Sequence, residues 1–410
     1  MSGNDVVVTG MGATTPLGGD VASTWDGLLA GRSGARKLDF DWVERFDMPV
    51  KFAAPLVVEP TEILPRVEAR RLDRAEQVAI VAAQQAWEDA KLGEAEADPD
   101  RLAVIVGTGI GGVHTLLNQD DLLEQSGMRK VSPLTVPMLM PNGPAAHVGL
   151  AFKARAGVHA PVSACASGAE AIGWAWRMIT TGEADVVIAG GAEACIVPIT
   201  MAGFTQARTM STRNDDPEHA SRPWDTARDG FVLGEGAGML ILERAEHAAA
   251  RGARVYARVA GVGTSSDAYH ITAPDPAATG QARAIAAAVR TSGLAATEFG
   301  HVNAHATSTP VGDVPETLAI RKSVGEHAIL TAPKGSLGHL LGASGAVESI
   351  ATVLSLYEGV IPPTANLVNL DPDVPLDVVY GEPRKVKLTA AINDSFGFGG
   401  HNVALAFAAV

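Results

Sequence analysis

The chain has 410 residues, enough for roughly two or three domain-sized units with a substantial core. Its 32 Lys and Arg stand against 46 Asp and Glu, a formal charge of −14 that disfavours a surface built for phosphate backbones and sets nucleic acid aside as a partner. A hydrophobic share of 47% fits a folded chain, and two cysteines, Cys165 and Cys195, exclude a disulfide framework.

Met1-Ser2-Gly3 runs straight into the apolar Val6–Thr9 strand, without the basic and apolar regions of a secretory leader, so the cytoplasm is the expected compartment. No uncharged apolar run approaches the roughly 18 residues of a membrane span. Ala75–Ala90 reads as a helix, with Val78, Ala82, Ala86 and Ala90 recurring at helical spacing. Leu102–Val106 reads as a strand. Gly107-Thr108-Gly109-Ile110-Gly111-Gly112 follows it and matches GxGxxG, but the polar stretch Gln125 to Pro133 offers no second strand ending in the acid that a dinucleotide site needs. Close chain packing is the better reading of those glycines.

Cys165 stands in Ser163-Ala164-Cys165-Ala166-Ser167-Gly168, just before a helix over Gly168–Thr181. A thiol at a helix start meets the positive end of the dipole and is expected to have a lowered pKa, although a Cys among Ala and Gly is by itself more often a small core residue. Strands follow at Val186–Ala189, Met239–Leu242 and, after the charged seam Arg244 to Arg254, at Val255–Val259. A helix over Gly280–Ser292 leads to the strand His301–Ala304, and His305 lies just past its end. His339 opens a second Gly-rich helix start before Gly345–Tyr357, and Val403–Phe407 is the last strand. Strand and helix alternate throughout, which predicts an α/β fold with buried sheets. Cys165-Ala166-Ser167-Gly168 and His339-Leu340-Leu341-Gly342 each precede an Ala-rich helix, an internal echo that suggests two stacked, related halves facing one site.

Taken together, these segments resemble an elongating β-ketoacyl-acyl-carrier-protein synthase of the thiolase-like superfamily. The likeness runs from Val6-Val7-Val8-Thr9-Gly10-Met11-Gly12 to Asn393-Asp394-Ser395-Phe396-Gly397-Phe398-Gly399-Gly400-His401-Asn402, through Arg222-Pro223-Trp224-Asp225 and Asp229-Gly230-Phe231-Val232-Leu233-Gly234-Glu235-Gly236-Ala237-Gly238. Val131-Ser132-Pro133-Leu134 and Met140-Pro141-Asn142-Gly143 are most similar to actinobacterial enzymes that extend long acyl chains. The resemblance implies a five-layer αβαβα fold, with residues 1–252 carrying the nucleophile and residues 253–410 the two histidines. It further implies a homodimer and an acyl-carrier protein as partner.

It also implies a Cys165, His305 and His339 site, with Lys334 and Glu316 as a supporting pair. Cys165 would take the acyl group from its thioester, with the backbone N–H groups of Cys165 and Phe398 as oxyanion hole. His305 and His339, both neutral, would stabilise the enolate left when malonate loses CO₂. Thr307 and Thr309 are placed on the phosphopantetheine arm, and Ile110, Phe204 and Phe398 on the acyl tunnel and its gate. Arg66, Arg70, Arg71, Arg129, Lys130 and Arg208 are the expected carrier-docking residues. No metal or redox cofactor is implied, the substrates being carried on the phosphopantetheine of the carrier. Two positions depart from the family pattern: Ala306 replaces Gly and Asp394 replaces Asn. A thiolase would need a second Cys near the C-terminus, a starter-unit synthase Asn at position 339, and a non-catalytic partner subunit no Cys165. A polyketide ketosynthase shares every reacting residue and stands as the alternative.

Overall fold

The computed structural model describes residues 5–93 and 97–410. Five long or short strands come from the first half: β1 (Val6–Thr14), β2 (Leu102–Gly107), β3 (Gly157–His159), β4 (Val186–Glu193) and β5 (Gly236–Arg244). Five come from the second, β6 (Ala257–Ser266), β7 (Phe299–Asn303), β8 (Ile329–Thr331), β9 (Ala390–Gly397) and β10 (His401–Ala408), and the two-residue strand Asp377–Val378 adds an eleventh, parallel to β8 at the outer edge. The first five lie in the order β1-β5-β4-β2-β3 and the second five in the order β6-β10-β9-β7-β8, the same arrangement displaced by five. Directions repeat as well: β1 and β6 run antiparallel to β5 and β10, whereas β4 and β9 run parallel to β2 and β7. An antiparallel ladder of Val6–Val8 on Ala257–Val259 joins the two sets. The chain is therefore a structural duplication hinged at β1 and β6.

Both faces of these strands are covered, which is why β2 and β4 are apolar without alternation. Helices α1 (Arg74–Ala90) and α3 (Gly143–Ala151) pack on the outside of the first set. Helix α6 (Thr279–Ser292) covers the outside of the second, with α7 (Asp313–Ser323) against it. Between the sets lie α4 (Ser167–Thr180) and α8 (Ser344–Glu358), each touching strands of both halves. That is the five-layer αβαβα order. Two further helices, α2 (Val113–Ser126) and α5 (Pro198–Gln206), border the site; the sequence patterns left both as loop.

The internal echo is real but sits three residues further along than the sequence reading put it. A 3₁₀ turn at Ala164–Ala166 enters α4, and its counterpart at Leu341–Ala343 enters α8. Ala164 and Leu341 both have left-handed backbones, with φ of 51° and 44°. Ser167 and Ser344 each accept an N–H from four residues upstream, Ser163 and Leu340, at 2.9 Å. Cys165-Ala166-Ser167-Gly168-Ala169 thus matches Gly342-Ala343-Ser344-Gly345-Ala346, and a glycine occupies the second half's nucleophile position.

At the end of β5, the fully buried Glu243 carboxylate takes Arg251 from the linker between the halves at 2.5 Å, His247 at 2.6 Å, and the hydroxyl of Thr9 on β1. Burial by itself would raise its pKa, yet His247, Arg251 and Thr9 together hold it at about 2. A depressed carboxyl contributes stability that is present above its unfolded pKa and lost as pH falls through the folded one. Glu243→Gln is expected to lower unfolding free energy at neutral pH by about 3–5 kcal/mol, the scale of a broken buried pair. Urea unfolding should show that gap narrowing as pH falls below about 4.5, the unperturbed carboxyl value. A gap independent of pH would place the effect in packing and not in the carboxylate.

Candidate active site

Cys165 lies in the 3₁₀ turn that enters α4, directly after the left-handed Ala164. The end of β9 passes so close that a Cβ at Gly397 would stand 2.5 Å from Ser163 O and 3.2 Å from Cys165 N. Only glycine allows that approach, and it brings the Phe398 amide to the sulfur. The thiol does not behave as its helix-start position suggests. Burial pushes it up to about 12, against the Lys334 charge and the N–H groups of Phe398 and Cys165, and the Glu193 carboxylate adds to the rise. Removal from water outweighs the turn's favourable dipoles.

His305 follows β7, and His339 follows the short helix Lys334–Leu337; both rings are buried and their centroids lie 5.4 Å apart, edge to face. Burial first, then the Lys334 charge, holds each well below the usual imidazole range, so both are neutral. His339 Nδ1 lies 3.0 Å from Ser344 Oγ, whereas His305 Nδ1 has no hydrogen-bond partner among the described residues. Aromatic rings extend the pair in both directions: Phe396 against His305, and Phe231, Phe204 and Phe398 in succession from His339.

The expected Lys334–Glu316 pair is not formed. Lys334 Nζ bonds Glu348 Oε1 at 2.5 Å, both side chains 1% exposed, and Glu348 is a residue the sequence reading missed on α8. Burial lifts the Glu348 carboxyl to about 7 in spite of the ammonium. Glu316 instead accepts the His305 N–H at 2.6 Å and the Ala306 N–H at 2.7 Å, fixing the histidine's backbone. Asp394 accepts the same His305 N–H at 2.8 Å. Burial raises both carboxyls, Asp394 to about 6 and Glu316 well above its ordinary range, where the Asp394 charge adds to the effect. Their like charges disfavour ionisation of both together. The two departures from the family pattern, Ala306 and Asp394, therefore meet at one clamp on the His305 loop.

A cavity of about 290 Å³ brings Cys165, His305, His339 and Phe398 together with Ile110, Phe204, Thr307, Thr309 and Glu316. Thr307 and Thr309 hydroxyls lie 3.1 Å apart on its wall. Asp267 and Gln281 also line it, and neither was singled out from the sequence. The GxGxxG loop holds an internal anion: its amides and Thr108 surround Glu193, the last residue of β4. Arg66, Arg70, Arg71, Arg129, Lys130 and Arg208 are all exposed. Their neighbour Arg74 is committed to ion pairs with Glu59 at 2.5 Å and Glu235 at 2.6 Å.

Comparison with known proteins identifies this arrangement. The N-terminal domain of beta-ketoacyl synthases matches residues 3–248, and the C-terminal domain matches residues 256–368. The chain is 52% identical over 404 residues to the 3-oxoacyl-[acyl-carrier-protein] synthase 2 of Mycobacterium tuberculosis, covering 98% of this chain and 96% of that one. A beta-ketoacyl synthase from Burkholderia phymatum superposes with a TM-score of 0.92 at 37% identity over 99% of both chains. A type II polyketide ketosynthase solved in complex with its acyl-carrier protein superposes at 0.91 with 30% identity, again over 99% of both. Two domain matches that together span most of the sequence, and a relative sharing half of its residues from end to end, agree with the duplicated fold: the chain belongs to the beta-ketoacyl synthase family.

Proposed function

We infer that the protein condenses an acyl thioester with malonyl-acyl-carrier protein, releasing CO₂ and giving 3-oxoacyl-acyl-carrier protein in fatty-acid chain elongation. The observation that carries the reading is the convergence of one thiol, two neutral imidazoles and the Phe398 amide on a single cavity. The 52% identity to a 3-oxoacyl-[acyl-carrier-protein] synthase 2 favours fatty-acid elongation over the polyketide alternative.

In the first half-reaction Cys165 Sγ attacks the acyl carbonyl, the oxyanion sits on the Cys165 and Phe398 amides, and the carrier thiol leaves with the proton. In the second, the malonyl C–C bond breaks and its electron pair passes to the thioester oxygen as an enolate. His305 and His339 hydrogen-bond that oxygen. When the Ser344 hydroxyl serves His339 Nδ1, the ring proton resides on Nε2 and is available to the enolate. The enolate carbon then attacks the acyl-Cys165 carbonyl, and the thiolate leaves and is reprotonated. Lys334 keeps the imidazoles neutral, and Glu348 holds Lys334. The substrates supply every electron pair, and solvent supplies the one proton per turnover that returns the Cys165 thiolate to thiol, so the reaction as proposed uses no metal or redox group. Thr307 and Thr309 offer hydroxyls to the pantetheine amides, and Ile110 and Phe204 line the acyl passage behind Phe398.

The half-reactions separate the roles. Intact mass after incubation with acyl-carrier should show one acyl adduct, absent in Cys165→Ala. His305→Ala and His339→Ala should each lose on the order of 10²–10³-fold in condensation, the scale of a lost oxyanion donor, with a much smaller loss in self-acylation. An adduct on Cys195, or equal losses in both half-reactions, overturns the assignment.

Acyl-carrier protein is the proposed partner. A chain of formal charge −14 repels an acidic carrier at long range, so docking requires a local basic face, which the exposed Arg66, Arg70, Arg71, Arg129, Lys130 and Arg208 can supply. Charge reversal at Arg70, Arg129 or Arg208 should raise KM for carrier-bound acyl groups and spare the same group on free pantetheine. Equal effects on the two substrates would make those residues structural.

The second proposed partner is another copy of the chain. Among the described residues, β3 closes one end of the sheet order and pairs only with β2. Exposed Val158, Val162, Leu150 and Trp174 surround this unpaired edge, an arrangement that invites a further strand. No helix is long and apolar enough to cross a membrane among the described residues. Sedimentation equilibrium should give the mass of two chains, and Val158→Asp should shift it toward one. A wild-type mass of one chain overturns the dimer.

A further inference from the structure

Glu193 is fully buried, and its four hydrogen-bond partners are donors without formal charge. Oε1 accepts Thr108 Oγ1 at 3.0 Å and the Ile110 N–H at 3.2 Å. Oε2 accepts the Gly109 N–H at 2.7 Å and, from the other half of the molecule, the Gly342 N–H at 3.1 Å. Thr108 Oγ1 in turn accepts the Gly111 N–H at 3.1 Å, so the whole loop after β2 curls round one carboxylate. Three of the four partners are amides that can only donate, and together with Thr108 they favour the ionised form against the burial that raises this carboxyl. The contact is tight on both sides. A Cβ at Gly109 would stand 2.7 Å from Oε2, and one at Gly342 would stand 2.4 Å from Gly109 N and 2.9 Å from Oε2.

The segments so joined both reach the cavity. Ile110 lines it from one side, while His339 and Leu341, just before Gly342, line it from the other. We propose that Glu193 is a positioning residue that sets the length of acyl chain the cavity accepts, by tethering the Ile110 segment of the first half to the turn entering α8 in the second. The proposal rests on the reading of Ile110 as acyl wall. It assigns no contact with substrate to Glu193 itself. A carboxamide in its place presents N–H to donors at one end, and loss of the Thr108 hydroxyl removes one strand of the tether without altering charge.

The test compares Glu193→Gln, Thr108→Val and Ile110→Phe with the wild type on a ladder of acyl-carriers. Both tether variants are expected to change the ratio of kcat/KM between the longest and shortest accepted chains by roughly tenfold, the order of one methylene in an apolar pocket. Glu193→Gln should also shift the pH profile of Cys165 alkylation by iodoacetamide to lower pH, because the carboxylate charge raises that thiol. A purely structural role would lower thermal stability and leave the ratio unmoved. If Glu193→Gln does not fold, Thr108→Val decides by the ratio alone. Chain-length profiles altered by Ile110→Phe but not by the tether variants overturn the role of Glu193. Profiles unchanged in all three variants overturn the acyl-wall reading and the tether with it.

Discussion

A carboxylate taken out of water is stable only where donors meet its oxygens, and this fold places several such groups between its layers. Glu193 gathers the loop after β2, and Glu316 with Asp394 gathers the loop after β7. The two loops occupy equivalent places in the duplicated halves, one carrying Ile110 and the other His305. Because each carboxyl group is anchored by main-chain amides, it fixes backbone as well as side chain. The cavity between the halves takes its shape from those fixed loops.

The charges that remain are arranged so that the resting site carries little of its own. Both imidazoles are neutral, the thiol is held protonated by burial, and Lys334 is compensated by Glu348. In the proposed reaction negative charge arrives with the malonyl carboxylate and develops on the acyl oxyanion, the enolate and the departing Cys165 thiolate, and Lys334 and the amides are already in place to meet it. Preorganised dipoles in a dry cavity cost no reorganisation at that moment.

Much of this was legible in the residues, and the rest was hidden for identifiable reasons. Val78, Ala82 and Ala86 announce α1 by spacing, and the apolar Leu102–Val106 announces β2. β9 was not legible, because the polar Asn393-Asp394-Ser395 interrupts any apolar period; in the fold Asn393 donates to Gly345 O and Ser349, and Asp394 accepts the His305 amide. β3 and β8, three residues each, are too short to carry a period. Nothing local distinguishes Glu348 from Glu316 as the partner of Lys334, since the choice depends on α8 lying in the central layer. The duplicated turn lies three residues beyond the His339 start, where Gly342-Ala343-Ser344-Gly345 matches Cys165-Ala166-Ser167-Gly168 with glycine in place of the cysteine that would mark it. The acid that the GxGxxG loop required was present as Glu193, at the end of a neighbouring strand and not at the position a dinucleotide fold demands.

The central position of β1 has a consequence for how the chain is made. Val6 pairs with Arg244 on one side and Val259 on the other, so β1 is hydrogen-bonded on both edges by strands that lie far later in the chain. Until β5 and β6 have emerged, Val6, Val7 and Val8 are an apolar segment with no partner, and the contacts that close the sheet are non-local. Helices such as α1 can form early, but the layered core cannot. Closure of the central sheet therefore waits on strands from both halves, and until they arrive β1 has two open edges.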